Sequence, residues 1–198
     1  MKATIIILLT VILSLISCKD DNPTDKKEFQ IINANITSNS FFPLAVGNEW
    51  VYDYIIIDTN LQHIKITGKI VLKDQEYFVC TSTLFNKDKT IDYENTFYVR
   101  TNDGMKFYEF KDSSESLILD FSDNITDSIY KLNYKTIDIP YLDLPFGRFN
   151  NCKRIETTIA FASEGISSTY ASGIGLIRSA WFKGRLELIK ARINNKDY

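Results

Sequence analysis

The side chains that most often act as nucleophiles, general bases or metal ligands are scarce in this sequence. It contains one histidine, His63, and three cysteines, Cys18, Cys80 and Cys152. A zinc site or a histidine-activated nucleophile needs several such residues at suitable spacings, which the chain does not offer. We therefore interpret His63 as a surface residue at the start of a strand, with no metal and no catalytic role.

Carboxylates are the remaining candidates for chemistry. Asp123–Asp127 carries oxygen ligands that suit calcium, but it lacks the complete loop and the distal glutamate of the common calcium motif, which favours a solvated turn. Asp138 and Asp143 flank Pro140 in a predicted connection and do not make a convincing acid pair for glycoside hydrolysis. The sequence thus predicts no metal, no cofactor and no catalytic residue, and a carboxylate hydrolase is kept only as a minor alternative.

Composition and charge exclude further classes of protein. The 198 residues are 44% hydrophobic and 13% aromatic, which fits one globular domain with its own core and some additional segments. A formal net charge of −2 gives no positive field that would gather a polyanion, so nucleic acid is not expected as a partner.

The amino terminus has the pattern of a secretory signal. Lys2 precedes a nearly unbroken apolar run, Ala3–Ile16, which is shorter than a comfortable membrane span. The run ends in Leu15-Ile16-Ser17-Cys18, which resembles the lipobox of bacterial lipoproteins. The resemblance implies removal of residues 1–17 as a signal peptide and acylation of Cys18, which would anchor the protein in a membrane. The alternative is a plain signal peptide that contains a cysteine by chance.

The residues that follow Cys18 favour one location. Cys18-Lys19-Asp20-Asp21-Asn22 resembles the export signal of Bacteroidota surface lipoproteins, in which a lysine and two acids follow the lipidated cysteine. The resemblance implies that Lys19, Asp20 and Asp21 direct the protein to the outer membrane, facing the cell exterior. Alternatively, these charges only solvate a linker, and the domain faces the periplasm. Residues 18–40 are polar and are predicted to form the anchor and a flexible tether.

Two further modifications depend on export. Cys80 and Cys152 remain once Cys18 is acylated, and an oxidising compartment would let them pair as a disulfide. Their apolar and aromatic neighbours favour buried free thiols instead, and both alternatives stay open. Asp127-Ser128-Ile129 resembles the short acceptor motif for O-linked glycans in exported Bacteroidota proteins, which leaves glycosylation of Ser128 as an open possibility.

From residue 41 to residue 198 the sequence reads as one domain of strands. Apolar and polar residues alternate with period two, as in Trp50, Tyr52 and Tyr54 or in Ile64, Ile66, Ile70 and Leu72. The predicted strands lie at 49–57, 63–73, 77–85, 96–100, 105–110, 116–121, 130–139, 152–161, 176–182 and 185–193. No segment shows a helical apolar stripe, so we predict an all-β antiparallel meander of about ten strands. So many strands must curl into a strongly curved sheet or half-open barrel to bury one face.

Three patches resemble a widespread family of bacterial secreted and lipid-anchored proteins. Phe42–Tyr52 resembles its opening F-P-L-x-x-G-N-x-W-x-Y, residues 144–152 its P-x-G-x-F-x-x-C, and residues 170–177 its closing Y-x-x-G-[VI]-G-L-[VI] signature. The chain departs from the family at Ser172, where proline is usual, and at Phe146, where a small residue is commoner. The resemblance implies a curved antiparallel sheet or half-open barrel and lends no reaction.

The same patches have a structural interpretation. Pro43 and Gly47-Asn48 are expected to form a turn that delivers Trp50 and Tyr52 into the core. Gly173 and Gly175 would permit unusual backbone angles or a close backbone approach before the last hairpin. Without a third glycine and a following helix, they do not form a phosphate loop.

These observations leave two main hypotheses about function. The first is an envelope lipoprotein that acts as a non-catalytic binding or structural module for a glycan, a protein or another envelope component. The second is a carrier that holds a lipid or another apolar ligand inside the curved sheet, with aromatic residues such as Trp50, Tyr52, Tyr54 and Phe97 lining the cavity.

Overall fold

Alternating apolar and polar side chains place the chain in strands, as the sequence predicts. A computed structural model describes residues 31–32, 40–55, 59–122, 125–127, 132–145, 147–159 and 165–198, and each regular element within them is a strand. The strands are β1 Ile31–Ile32, β2 Glu49–Ile55, β3 Thr59–Leu72, β4 Gln75–Phe85, β5 Ile91–Thr101, β6 Lys106–Lys111, β7 Ser114–Asp120, β8 Ile125–Asp127, β9 Leu132–Leu144, β10 Gly147–Ile159, β11 Gly165–Ala171, β12 Gly175–Trp181, β13 Gly184–Ile193 and β14 Lys196–Asp197. No helix in this described part has the length and hydropathy of a membrane span.

The strands form a single sheet from two meanders. Its order is β7-β6-β5-β4-β3-β2-β13-β12-β11-β10-β9-β8, so that β2 and β13, far apart in sequence, join the meanders at the centre. All pairs along this path are antiparallel, and β7 and β8 end the path without pairing with each other. The predicted all-β antiparallel meander is therefore confirmed, as a curled sheet that does not close by hydrogen bonding between the described strands.

The turn before β2 carries the first aromatic residues into the core. Gly47 adopts a φ of +93°, and its amide donates to the carbonyl of Ile66 at 2.9 Å. The Asn48 side chain donates to the carbonyl of Pro43 at 2.9 Å, which fixes the turn from within. Trp50 is 0% exposed and Tyr52 is 1% exposed, so the predicted role of this patch is confirmed.

Aromatic rings fill one end of the curled sheet. The ring of Phe42 stacks on Trp50 at 5.3 Å between centroids and meets Phe107 edge-on at 5.8 Å. Phe121 continues this cluster, at 5.9 Å from Phe107 and 5.0 Å from Tyr170. Trp50 and Tyr52 are almost completely buried in this core, so the suggestion that they would line a ligand cavity is wrong.

A bulge in β3 reverses the face of the sheet to which the side chains in the second half of the strand point. The pairing between β3 and β4 shifts between Ile66 and Gly68, so Ile66 pairs with Cys80 while Ile70 pairs with Tyr77. Cys80 and Tyr77 point to opposite faces of β4 because they are an odd number of residues apart. The predicted common face of Ile66 and Ile70 is therefore wrong, since one extra residue reverses the alternation.

Two segments, Gly165–Ala171 and the region around Pro140, differ from the sequence-based expectations. Gly165–Ala171 was not predicted as a strand, but pairing with β10 and β12 on its two sides makes it β11. Pro140 lies within β9, in contrast to the predicted connection, and the flanking ladder pairs join Ile139 to Cys152 and Tyr141 to Asn150. Proline is tolerated there because its missing amide interrupts the ladder at a single position only.

A short strand interrupts the predicted tether. Ile31–Ile32 lie within residues 18–40, yet they form β1, which pairs in parallel with Arg148 and Phe149 of β10. β11 pairs with β10 only from Cys152 onward, so it does not compete with β1 for Arg148 and Phe149. The other residues of the predicted tether up to residue 39 lie outside the described residues.

An ion pair on the outer face holds β7 against β5. Arg100 of β5 donates to Glu115 of β7 through Nε at 2.5 Å and Nη2 at 2.7 Å. The guanidinium lies over the ring of Tyr108 at 4.7 Å, and the Tyr77 hydroxyl also donates to Glu115. The hydrogen bond from Arg100 is the main cause that keeps the pKa of Glu115 below its ordinary value.

We expect Glu115→Gln to destabilise the fold in a pH-dependent way. At pH 7 the free energy of unfolding should fall by about 1 to 2 kcal/mol, because charge-assisted hydrogen bonds are lost from a half-exposed site. The folded pKa is lowered, so this stabilisation is fully present above the unfolded pKa of glutamate and is lost as pH falls through the folded pKa. Denaturant titrations of both proteins between pH 7 and pH 3 should therefore converge.

Glu76→Gln is the matched control for this prediction. Glu76 pairs with Lys69 at 2.7 Å, but both side chains are largely exposed, at 57% and 44%. Its loss should change stability by at most a few tenths of a kcal/mol at any pH. Equal effects of the two substitutions at pH 7 would show that Glu115 contributes no more than an ordinary surface ion pair.

Candidate functional site

The two ends of the curled sheet approach each other, and we call the region where β7 faces β9–β11 the seam. Thr136 of β9 donates through Oγ1 to the carbonyl of Asp120 at the end of β7, at 3.4 Å. The ring of Phe121, the next residue, meets Tyr170 of β11 edge-on at 5.0 Å. These contacts bring β7 next to β9–β11 at one point, and beside it the two ends of the sheet remain separated.

The space between them forms a cavity of about 370 Å³, here called the seam cavity. One wall consists of residues 116–120 of β7. The opposite wall consists of alternate residues from three adjacent strands, namely Tyr134 of β9, Ile155 and Thr157 of β10, and Ser168 and Tyr170 of β11.

Strand register explains why these side chains share one wall. Ile155 pairs with Ser168 on one side and with Thr136 on the other, and Thr157 pairs with Tyr134. Residues that pair directly point to the same face of a sheet, as do residues two apart on one strand. The wall is therefore built from side chains on the concave face of β9–β11.

The seam cavity has a closed end and an open mouth. Ile155, Asp120 and Tyr170 are buried, with exposed fractions of 5%, 7% and 8%. Ser116 is exposed, and it pairs with Glu109, which in turn pairs with the buried Val99, so its side chain lies on the concave face and marks the mouth. A molecule entering at Ser116 would thus reach two buried polar side chains.

Asp120 is a fully partnered carboxylate. Its Oδ1 accepts hydrogen bonds from the amide of Ser122 at 2.8 Å and from the Ser122 hydroxyl, and its Oδ2 lies 3.4 Å from Nζ of Lys106. Burial by itself raises the pKa of Asp120, but the hydrogen bonds and the lysine charge outweigh it and leave the pKa below its ordinary value. Asp120 therefore stays ionised and is poorly suited to act as a general acid.

Tyr170 differs from Asp120 because its polar atom has no partner. Within the described residues, its hydroxyl makes no hydrogen bond, although its ring packs against Phe121. Burial raises the pKa of Tyr170 well above its ordinary value, so the hydroxyl remains neutral. By contrast, Ser168 on the same wall is paired with the Ser179 hydroxyl at 2.9 Å. The closed end of the seam cavity thus presents one free neutral hydroxyl.

The residues singled out from the sequence lie elsewhere. Cys18, Lys19, Asp20, Asp21 and Ser128 are outside the described residues, as are Asp123 and Asn124. Ile125–Asp127 forms β8, so the prediction of a solvated turn is wrong for these residues, which pair with β9.

The two carboxylates near Pro140 are held in separate ion pairs. Asp138 accepts from Lys153 at 2.7 Å, and Asp143 accepts from Arg148 at 2.7 Å and 2.9 Å. The hydrogen bonds from Arg148 lower the pKa of Asp143. Neither carboxylate is among the described residues that line the seam cavity, and they do not form an acid pair.

His63 lies on the outer face of β3. Its Nε2 is 3.4 Å from Glu49, a carboxylate that also lies 3.8 Å from Lys65 and 3.5 Å from Arg192. The His63 side chain is 32% exposed. No group of three or more potential metal ligands occurs among the residues that the structure describes.

Cys80 and Cys152 are free thiols within the core. They are 0% and 2% exposed, and neither forms a disulfide, which settles the alternative that the sequence left open. Burial raises the pKa of Cys80 to about 12 and that of Cys152 to about 11.

Both thiols should resist alkylation in the folded protein. The thiolate is the reactive form, and it is both rare and inaccessible here. In a chain that starts at Lys19, we expect almost no reaction with a thiol reagent at pH 8 over the time in which denatured protein reacts completely at two sites. Rapid native labelling of either cysteine would show that the core opens at that strand.

Sequence reasoning missed the seam cavity as a site. Alternation in the predicted strands at 130–139 and 152–161 placed Tyr134, Ile155 and Thr157 on strands, and Tyr170 belonged to a signature patch. Ser168 carried no signal because its strand was not predicted. The approach of β7 to this wall is a contact between distant parts of the chain, which local patterns do not encode.

Comparisons with known proteins identify neighbours among solved structures only. No protein-family model and no curated protein matches the chain. A proposed lipoprotein from Parabacteroides distasonis is similar over 82% of this chain and 100% of its own, with 14% identity and a TM-score of 0.44. A proposed exported protein with a YmcC-like fold from Bacteroides fragilis is similar over 81% of this chain and 99% of its own, with 14% identity and a TM-score of 0.46.

Proposed function

We propose that this chain is a lipid-anchored envelope protein that binds a small ligand in the seam cavity and catalyses no reaction. The observation that carries the proposal is the cavity itself, which is lined by Tyr170, whose hydroxyl has no hydrogen-bond partner among the described residues. Protein interiors are otherwise close-packed. A cavity of about 370 Å³ with mostly apolar walls and few polar groups lies within the usual range of ligand sites.

The electrostatics of the carboxylates support a binding role. Asp120 is ionised and partnered by Ser122 and Lys106. Asp138 and Asp143 are each committed to a basic side chain on β10. A carboxylate hydrolase needs one carboxyl group that keeps a proton near neutral pH, and the lowered pKa values of Asp120 and Asp143 work against that.

The anchor and the location rest on the sequence. Cys18 is the proposed lipidation site, and Lys19, Asp20 and Asp21 are the proposed signal for the outer membrane and the cell exterior. A domain anchored in this way would present the seam cavity to molecules that reach the cell surface. In the periplasm-facing alternative the same cavity would serve envelope lipids.

Membership of the resembled lipoprotein family is also a proposal. Its support is that the signature patches contact one another in the core. Trp50 of the first patch donates to the carbonyl of Ile174 in the last patch at 2.5 Å, and Tyr52 donates to the carbonyl of Leu176 at 3.1 Å. Residues that fix each other across 124 positions of sequence have a reason to occur together.

Native mass spectrometry of residues 19–198 tests the binding function. A discrete mass of a few hundred daltons that is present in the native protein and lost on denaturation would support it. Thr157→Phe places a ring in the seam cavity and should remove that mass. Thr158→Phe, one residue further on the opposite face of β10, should leave it in place. A clean apo mass, together with no binding of added small molecules, would contradict the function.

A further inference from the structure

We propose that the ligand of the seam cavity is an uncharged amphiphile, whose oxygen accepts a hydrogen bond from Tyr170 and whose aliphatic chain points toward the mouth at Ser116. This inference rests on the proposed binding function and specifies its ligand class. A medium-chain alcohol or a monoacylglycerol has this chemistry. Fatty acid anions and phospholipids do not.

The charge of the walls selects against anionic ligands. None of the described residues that line the seam cavity is basic, and the one charged group among them is the carboxylate of Asp120. Two lysines lie near these walls, and both are paired: Lys106 lies 3.4 Å from the Asp120 carboxylate, and Lys153, the ladder partner of Tyr170, donates to Asp138 at 2.7 Å. An acid anion inside the cavity would be desolvated beside a like charge and would compete with these carboxylates for the lysines, which disfavours its binding.

The closed end selects for an oxygen acceptor. The Tyr170 hydroxyl is on a residue that is 8% exposed, and it has no hydrogen-bond partner within the described part of the chain. A purely apolar ligand would leave this donor unsatisfied, whereas an alcohol, ester or ether oxygen would pair with it. The oxygen-bearing end of the ligand is therefore expected to enter first.

The remaining walls suit an aliphatic chain of limited length. Ile118, Leu119 and Ile155 provide apolar surface between the closed end and the mouth at Ser116. The volume of about 370 Å³ is near the lower end of the range for ligand sites, about 300 to 1,000 Å³. We therefore choose eight-carbon probes.

Calorimetric titration of residues 19–198 with 1-octanol and with octanoate at pH 8 tests the class. The two probes share a chain and differ in charge. We expect octanol to bind at least about tenfold more tightly. Tyr170→Phe keeps the ring against Phe121 and should weaken octanol binding about fivefold, the effect of one net hydrogen bond. Tyr93→Phe, at a residue that is 59% exposed, should leave binding unchanged.

The outcomes separate this inference from the function on which it rests. Octanoate binding as tightly as octanol would overturn the ligand class and leave the binding function standing. The ligand class is also overturned if neither probe binds to protein whose native mass spectrum shows a bound molecule. If Tyr170→Phe melts like the wild type and binds octanol equally well, recognition by Tyr170 is overturned. If no probe binds and the native mass is clean, both the class and the function fail.

Discussion

Replacing Gly175 by alanine is expected to lower the free energy of unfolding by about 2 to 5 kcal/mol. Two effects add up at this position. Gly175 has a φ of +107°, a conformation that residues with a Cβ adopt only under strain. An added Cβ would also lie 3.1 Å from Nε1 of Trp50 and 3.4 Å from Cδ2 of Phe42, both in the packed aromatic end of the sheet. Neither ring can move without disturbing its neighbours.

Two other glycines separate these effects. Gly47 has a similar φ of +93° but no atom within 4 Å of an added Cβ, so Gly47→Ala should show backbone strain alone, about 1 to 2 kcal/mol. Gly68 has neither a positive φ nor a close neighbour, and Gly68→Ala should be nearly neutral. Denaturant unfolding of residues 19–198 measures all three. An effect at Gly175 no larger than at Gly47 would mean that the aromatic end adapts easily.

The burial of aromatic residues at this end of the sheet could be predicted from the sequence, because the pattern that indicates it is local. Trp50 and Tyr52 lie two residues apart, on one face of a strand that directly follows a turn, and large aromatic residues in that pattern are buried. Gly173 and Gly175 do adopt positive φ values, +72° and +107°, as their spacing suggested. The partner of Trp50 could not be predicted, because the hydrogen bond to Ile174 joins the first and last meanders.

The seam cavity could not be predicted from the sequence, because it depends on contacts between distant parts of the chain. Its walls depend on how far the sheet curls before its ends meet, and curl depends on bulges such as that between Ile66 and Gly68. A bulge leaves no clear trace in an alternating sequence pattern, so the face of the sheet predicted for Ile70 was wrong. The strand that contributes Ser168 and Tyr170 is rich in small polar residues, and its pairing on both sides overrides this weak propensity.

Cys18→Ala is expected to abolish acylation of the protein completely. Cells grown with a clickable palmitate analogue should label the wild type and leave the variant unlabelled. Several acyl chains on one cysteine bind a membrane stably, whereas a single chain gives only marginal binding. Cys80→Ala and Cys152→Ala are the controls. Their thiols lie in the folded core, so both variants should label like the wild type. Full labelling of Cys18→Ala would refute the lipobox interpretation.

The effect of the proposed export signal can be measured separately from acylation by changing the three residues that follow Cys18. If Lys19, Asp20 and Asp21 form an export signal, their joint replacement by alanine should preserve palmitate labelling and abolish digestion by protease added to intact cells. If they are only a solvated linker, accessibility to protease should not change. The second result would leave the anchored domain in place but restrict the ligand of the seam cavity to molecules within the envelope. The location of the cavity would then decide its ligands as much as its walls do.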